Sequence, residues 1–452
     1  MNFDRYVDVS HATIGQTPVR LEHCVRLGER CERATHASGL TVLLVPKQMT
    51  LTYAQLVVGF GARDNTFSVD GRTYRVPDGV AHFLEHKMFA NPDGTDANEL
   101  FSALGADANA WTDYDRTAYL FSTAESPVPA LRVLLDMVMT PYFTKENVEK
   151  EKGIIREEIL MGEDDPWQML YEQAMRATYS HHALRRRICG TLSSIARITP
   201  ATLERCYRAF YRPSNMCLVM CGNVTMAEVL AVVDAALPPS GEEQTKVLRC
   251  PDREEAPTVV RCRSCRRARV AQPLFQITLK DTCLPQDGRE RLYRESAMNL
   301  LSEVLFSRAA PFYGELFEKG LITPGYSYGY STAQGAAYHA VTGEARDARA
   351  VWKKYKQVVA AAQREGLSTE DVERCRRVLY ASFVSQFDYP EDIADLTCEA
   401  YAGGTGVFDT LEVLQRITKE ELETLLREMF LPEATTLCVL RPDRITKDNK
   451  EE

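Results

Sequence analysis

No run of this 452-residue chain approaches the roughly 18 uninterrupted apolar residues of a membrane-spanning helix. No membrane association is therefore expected. The opening MNFDRYVDVSHATIGQ lacks the basic-then-apolar order of an export signal, so a cytoplasmic protein is the simplest expectation. Positive charge is not in excess either. There are 54 Lys and Arg against 63 Asp and Glu, a net charge of −9. That balance argues against a nucleic-acid binder. The arginines between 261 and 269 have no aromatics among them, so a stacking platform for single strands is absent too. The 13 cysteines are an odd number and do not read as a disulfide framework. Cys262 and Cys265 are spaced C-x-x-C, but a zinc ribbon needs a second such pair, and none follows. The glycines of 403-GGTG-406 lack the Lys-Ser/Thr of a nucleotide cradle. Histidine is scarce, with 8 in the whole chain.

What the chain does have is a long-period repeat. The segment 197-RITPATLERCYRAFYRP-213 recurs in register as 416-RITKEELETLLREMFLP-432. Each copy places a Thr where the N-cap of an amphipathic helix belongs. Each is followed by an apolar strand, 216-MCLVMCG-222 and 437-LCVLRPD-443. Repetition at this distance implies two copies of one domain. The Pro/Ser/Gly/Glu stretch 238-PPSGEEQT-245 carries no apolar periodicity and reads as a linker. The expected plan is one domain over 1–237, a linker over 238–254, its relative over 255–443 and a tail over 444–452. Strands are expected at 39–46 and 53–62, and a hairpin at 109–112 and 117–123 around 113-DYDR-116. Helices follow near 128–139 and 144–161. Strands and helices mix without strict alternation. The fold class is α+β: two homologous domains in tandem, each a largely antiparallel sheet packed with helices.

Two of the scarce histidines fall together in 79-GVAHFLEHKMF-89. On a helix, His82 and His86 lie four apart on one face, with Glu85 beside them. Two neutral imidazoles and a carboxylate from elsewhere make the open three-ligand site of catalytic zinc. Glu85 is placed to act as the general base on water acidified there. This is the inverted form of the common metalloprotease helix motif. The bland alternative is two half-buried core histidines and a surface glutamate. The third ligand is sought in 144-TKENVEKEKGIIREEILMG-162. At about 100° per residue, Val148, Glu151, Ile155, Glu158 and Gly162 share one face, flanked by Ile154 and Ile159. Glu149 and Glu157 face the other way. Glu158 is the better ligand, Glu157 the better surface residue, and a buried Glu151 needs a partner.

The sequence resembles the M16 family of zinc metallopeptidases. The residues that carry the resemblance are His82-Phe83-Leu84-Glu85-His86, Asn109-Ala110-x-Thr112, Thr117-x-Tyr119, Glu151-x6-Glu158, 189-CGT-191 and 214-SNM-216. They span most of residues 35–235, and the tandem repeat is itself a family trait. The short two-domain bacterial type, one half of a clamshell, is the most similar kind. The resemblance implies one zinc per chain on His82, His86 and Glu158, with Glu85 as base. It implies Glu151 as a carboxylate supporting a ligand histidine. It also implies that the strand of Asn109, Ala110 and Trp111 is an edge that pairs with an extended peptide substrate.

One departure stands out. Family members with a full site carry an Arg and a Tyr in the second domain, which bind substrate backbone and the oxyanion. In 315-ELFEKGLITPGYSYGY-330, Phe317 stands at the expected Arg and Thr323 near the expected Tyr. The expectation is a zinc endopeptidase for short or unfolded peptides, working as a heterodimer with a related chain that lacks the zinc motif. A homodimer completed by Arg308 or a tyrosine of 326–330 is the second choice. A subunit that no longer cleaves and serves assembly or peptide binding is the competing class of function.

Overall fold

The computed structural model describes residues 7–239, 247–250 and 253–443. The tail 444–452 and much of the expected linker lie outside the described residues. Strands run in chain order: β1 Val7–Ile14, β2 Thr17–Cys24, β3 Glu29–Thr35, β4 Thr41–Pro46, β5 Thr52–Val58, β6 Thr66–Val69, β7 Arg72–Arg75, β8 Ala106–Thr112 and β9 Thr117–Thr123. They continue with β10 Met216–Gly222, β11 Val247–Arg249, β12 Arg263–Ala268, β13 Leu274–Asp281, β14 Ser327–Ala333, β15 Ala336–Glu344 and β16 Thr435–Pro442. The chain forms two compact units. One contains an eight-stranded sheet of order β1-β2-β3-β4-β10-β5-β9-β8 and a small sheet β11-β6-β7. The other contains a five-stranded sheet of order β12-β16-β13-β15-β14. Pairing is antiparallel except at β4–β10 and β12–β16. The α+β expectation holds, and the two parallel pairs sit at equivalent places in the repeat.

Each unit is assembled from separated stretches. The first holds residues up to 159, then 186–251 and 381–412; the second holds 160–185, 252–380 and 413 onward. The contiguous division at 237 and 255 follows the repeat along the chain, whereas the folded units exchange a segment. In the first unit the helix Pro390–Gly403 lies across β10, β5 and β4. Asp395 accepts a hydrogen bond from Gln55 (3.2 Å), and the Tyr401 and Thr41 hydroxyls meet at 3.0 Å. In the second unit the helix Pro166–Thr178 lies across β13 and β16, and the following Tyr179 donates to the Ala337 carbonyl at 2.7 Å. With helices on both faces, every residue of β5, β10 and β13 is buried. That is why these strands read as apolar runs without alternation.

The repeated helices form as expected. Pro200–Phe210 is capped by Thr199 and Lys419–Met429 by Thr418, the latter through a capping box with Glu421. Within the expected linker, Val247–Arg249 is a strand paired to β6, and Arg249 bonds Asp64 at 2.8 Å. Three residues in a mostly polar stretch are too few to give a periodic signal for it. The strands β1 to β3 were not anticipated either; β1 is almost wholly exposed, so it shows no apolar alternation.

Candidate metal centre

The site is built on a short helix, Val80–Lys87, with seven of its eight residues buried. So short a helix is held by packing, not by propensity. Phe83 and Leu84 anchor it in the core of the first unit. Its start is fixed by Gly79 at φ 92°. A Cβ there would lie 2.5 Å from the Cys189 carbonyl oxygen, and one on Gly190 would lie 2.5 Å from that of Asp78. The Cys-Gly-Thr stretch thus lets two backbones touch at the mouth of the helix.

His82 and His86 stand side by side, ring centroids 4.6 Å apart. Glu158 reaches them from the helix Lys145–Asp164. Its Oε1 lies 3.2 Å from His82 Nε2 and its Oε2 3.6 Å from His86 Nε2. Donor atoms of these three residues all fall within 4.8 Å of one another. His86 Nδ1 meets Glu151 Oε1 at 3.0 Å, and Lys87 Nζ meets Glu151 Oε2 at 3.4 Å. Burial works against charge on Glu151, but His86 and Lys87 outweigh it and lower its pKa. The ionised carboxylate makes Nδ1 the protonated nitrogen of His86, leaving Nε2 with a lone pair towards Glu158. The hydrogen bond from His82 holds the Glu158 pKa down as well. His82 Nδ1 is buried without a hydrogen-bond partner, so the ring's only polar anchorage is on the Nε2 side. Two imidazole nitrogens converging on one carboxylate are a donor set that suits zinc.

The periodicity of the glutamate helix holds for Val148, Glu151, Ile155 and Ile159, all buried. It fails at Ile154, which is half exposed, and at Glu158, whose side chain is 47% exposed. Glu158 sits at the rim of the apolar face, where a ligand can meet both histidines and solvent. Glu157 points away, 71% exposed beside Arg156.

Glu85 is buried among these groups, and its Oε2 accepts a 2.5 Å hydrogen bond from Thr112 Oγ1. Thr112 in turn meets Thr117 Oγ1 at 3.1 Å, and Thr117 also donates to the Phe60 carbonyl at 2.9 Å. In the sequence, Thr112 stands out only as part of the Asn109-Ala110-x-Thr112 pattern. Strand alternation could have found it: Ala108, Ala110 and Thr112 share one face, and the two alanines pack into the main core. Trp111 faces the other way, packed against the cluster beneath the helix Pro390–Gly403, with Arg116 over its ring at 5.5 Å. Asn109, Ala110 and Trp111 do lie on an edge strand, since β8 ends the sheet and pairs with β9 alone.

The profile described as Insulinase (Peptidase family M16) matches residues 51–192, and that described as Peptidase M16 inactive domain matches 197–379. This chain belongs to peptidase family M16. The uncharacterized zinc protease YmfH of Bacillus subtilis (strain 168) is 34% identical over 409 residues, 90% of this chain and 95% of its own. An M16-like peptidase from Alicyclobacillus acidocaldarius superposes with TM-score 0.87 at 29% identity, covering 98% of this chain and all of that one. The first half of the periplasmic protease PqqL from Escherichia coli shares the fold at 18% identity, TM-score 0.71, covering 91% of this chain and 92% of that one. The curated relatives it matches, YmfH and a protein of Streptomyces coelicolor among them, are named zinc proteases. No helix among the described residues is long and apolar enough to cross a membrane.

In the second unit, the stretch that departs from the family pattern is occupied elsewhere. Phe317 is half exposed near the end of the helix Pro311–Glu318. Tyr326 is buried and donates to the Phe306 carbonyl, while Tyr328 donates to Glu303 at 2.7 Å. Arg308 is exposed and donates to the Pro324 carbonyl. His182 is buried and bonded to the Gln334 carbonyl. His339 is buried among Phe306 and Phe430, and burial pushes its pKa down to about 3.

Proposed function

We propose that this chain is a zinc endopeptidase acting on short or unfolded peptides, with Glu85 as its general base. The observation that supports the reading is the convergence of His82, His86 and Glu158 within 4.8 Å, beside a buried Glu85. His82, His86 and Glu158 would hold the metal. Zinc held there would acidify water and polarise the scissile carbonyl. Glu151 fixes the His86 ring so that Nε2 faces the metal position. Thr112 occupies Glu85 Oε2, which leaves Oε1 to accept the proton of the attacking water. The same carboxylate returns that proton to the leaving nitrogen. The open edge of β8 at Asn109 and Ala110 would pair with the extended substrate backbone, and such pairing recognises shape rather than sequence.

The deciding experiment compares wild type with Glu85→Gln for zinc content and peptide cleavage. The variant is expected to keep its zinc and to lose cleavage by roughly 10²–10⁴-fold. Equal cleavage by the zinc-loaded variant would overturn the assignment and favour a non-cleaving role.

The same reading extends to a partner. Tyr326 and Tyr328 both donate their hydroxyls within the second unit, so both candidate substitutes for an oxyanion donor are engaged. A related chain without the zinc motif would supply the missing groups as a heterodimer; a homodimer is the second choice. Loss of such a donor costs roughly 10²–10³ in rate. Full activity of the purified chain as a monomer would remove the need for any partner. All thirteen cysteines are free thiols, which fits a reducing compartment and supports a cytoplasmic location.

A further inference from the structure

We propose that the second unit carries a binding site for a small organic polyanion, with two or more phosphate-type charges on an apolar or aromatic body. Strands β12 and β16 and the first turns of the helix Ala348–Glu365 line a half-open concavity of about 800 Å³. Leu437 and Val439, alternate residues of β16, form its floor. Trp352 forms a wall, its indole stacked on Tyr355 at 5.6 Å.

Six cations surround this apolar base: Arg263, Arg346, Arg349, Lys353, Lys356 and Arg441. Arg349, Lys353 and Lys356 follow i, i+4, i+7 spacing and so share one helix face. The single carboxylate in the lining, Asp347, is engaged as the N-cap, accepting from the Arg349 backbone at 2.9 Å. Among the described residues none of the six cations is ion-paired. The contrast with Lys354 is direct, since it lies on the same helix and pairs with Glu315 at 2.5 Å. The chain has a net charge of −9, so carboxylates are not scarce. Like charges gathered around one concavity repel one another, and a bound anion relieves that cost. The N-terminal end of an 18-residue helix adds favourable potential at the same place.

The apolar surface narrows the class. Leu437 and Val439 are already buried, but a bare inorganic anion would leave the half-buried Trp352 ring beside it uncovered. The volume suits a ligand of small-molecule size with a planar or apolar part over that floor. Lys356, 5.6 Å from the Trp352 ring centre, already shows a cation beside the aromatic wall.

Calorimetric titration of the full chain tests this with three probes: adenosine diphosphate, pyrophosphate and adenosine. One diphosphate nucleotide is expected to bind per chain, with affinity falling as salt rises. Pyrophosphate should bind about tenfold more weakly and adenosine more weakly still. The double charge reversal Arg349→Glu/Lys353→Glu, on an exposed helix face, should weaken the nucleotide at least about tenfold without changing the thermal midpoint. Trp352→Ala should weaken the nucleotide and leave pyrophosphate unchanged. Absence of saturable nucleotide binding overturns the proposal. So does binding that the double charge reversal leaves intact, or a single-stranded oligonucleotide that binds more tightly than the nucleotide through the same residues.

Discussion

At the scale of single residues, the candidate centre separates groups that sequence spacing leaves adjacent. Glu157 and Glu158 are neighbours, yet one lies beside two histidines and the other beside Arg156. Glu158→Gln is expected to lower zinc occupancy, whereas Glu157→Gln should leave it unchanged; metal analysis after dialysis separates them. Thr112 makes a different kind of contribution. Its hydroxyl holds one oxygen of Glu85, so Thr112→Val should lower kcat/KM roughly tenfold while zinc content stays full. Thr112→Ser, which keeps the hydroxyl, should recover most of the rate. If Thr112→Val cleaves as well as wild type, the hydrogen bond does no positioning. The histidines and Glu85 were legible in the sequence because helical spacing is a local property. Thr112 was not, because its partner lies on another element.

At the scale of elements, the motif helix depends on what touches its first turn. Gly79 combines a left-handed backbone with a 2.5 Å approach to Cys189. Gly79→Ala should therefore destabilise the first unit by roughly 2–4 kcal/mol, read as a lower thermal midpoint with reduced zinc retention. A midpoint within a degree of wild type would contradict that packing. Long amphipathic helices and the hairpin β8–β9 were visible from periodicity and turn residues. The strand Val247–Arg249 was not, since three residues in a polar stretch carry no period. The exposed β1 was missed for a related reason: a strand without a buried face has no apolar alternation to read.

At the scale of the whole molecule, the halves of the chain exchange helices, and one carboxylate marks how the second unit is tied. Glu255 accepts from the backbone amides of Ser180, His181 and His182 and pairs with Lys280 at 2.8 Å. Burial opposes its charge, but these donors overcome it and bring its pKa down to about 2. A depressed carboxylate pKa stabilises the fold above the unfolded value near 4.5 and loses that contribution as pH falls towards 2. The thermal midpoint of wild type should fall across that window, and Glu255→Gln should flatten the fall while lowering the midpoint at neutral pH. An unchanged profile in the variant would show that Glu255 does not set it. The sequence by itself determined the repeat, the α+β class, the paired histidines with their glutamate and the family, because spacing and apolar period are written locally. Only the tertiary structure decided that Thr112 holds Glu85, that the two folded units exchange segments of chain, and that six cations, unpaired among the described residues, surround one apolar floor. These depend on which distant elements pack together, and packing is settled by the burial of whole faces rather than by any one stretch of chain.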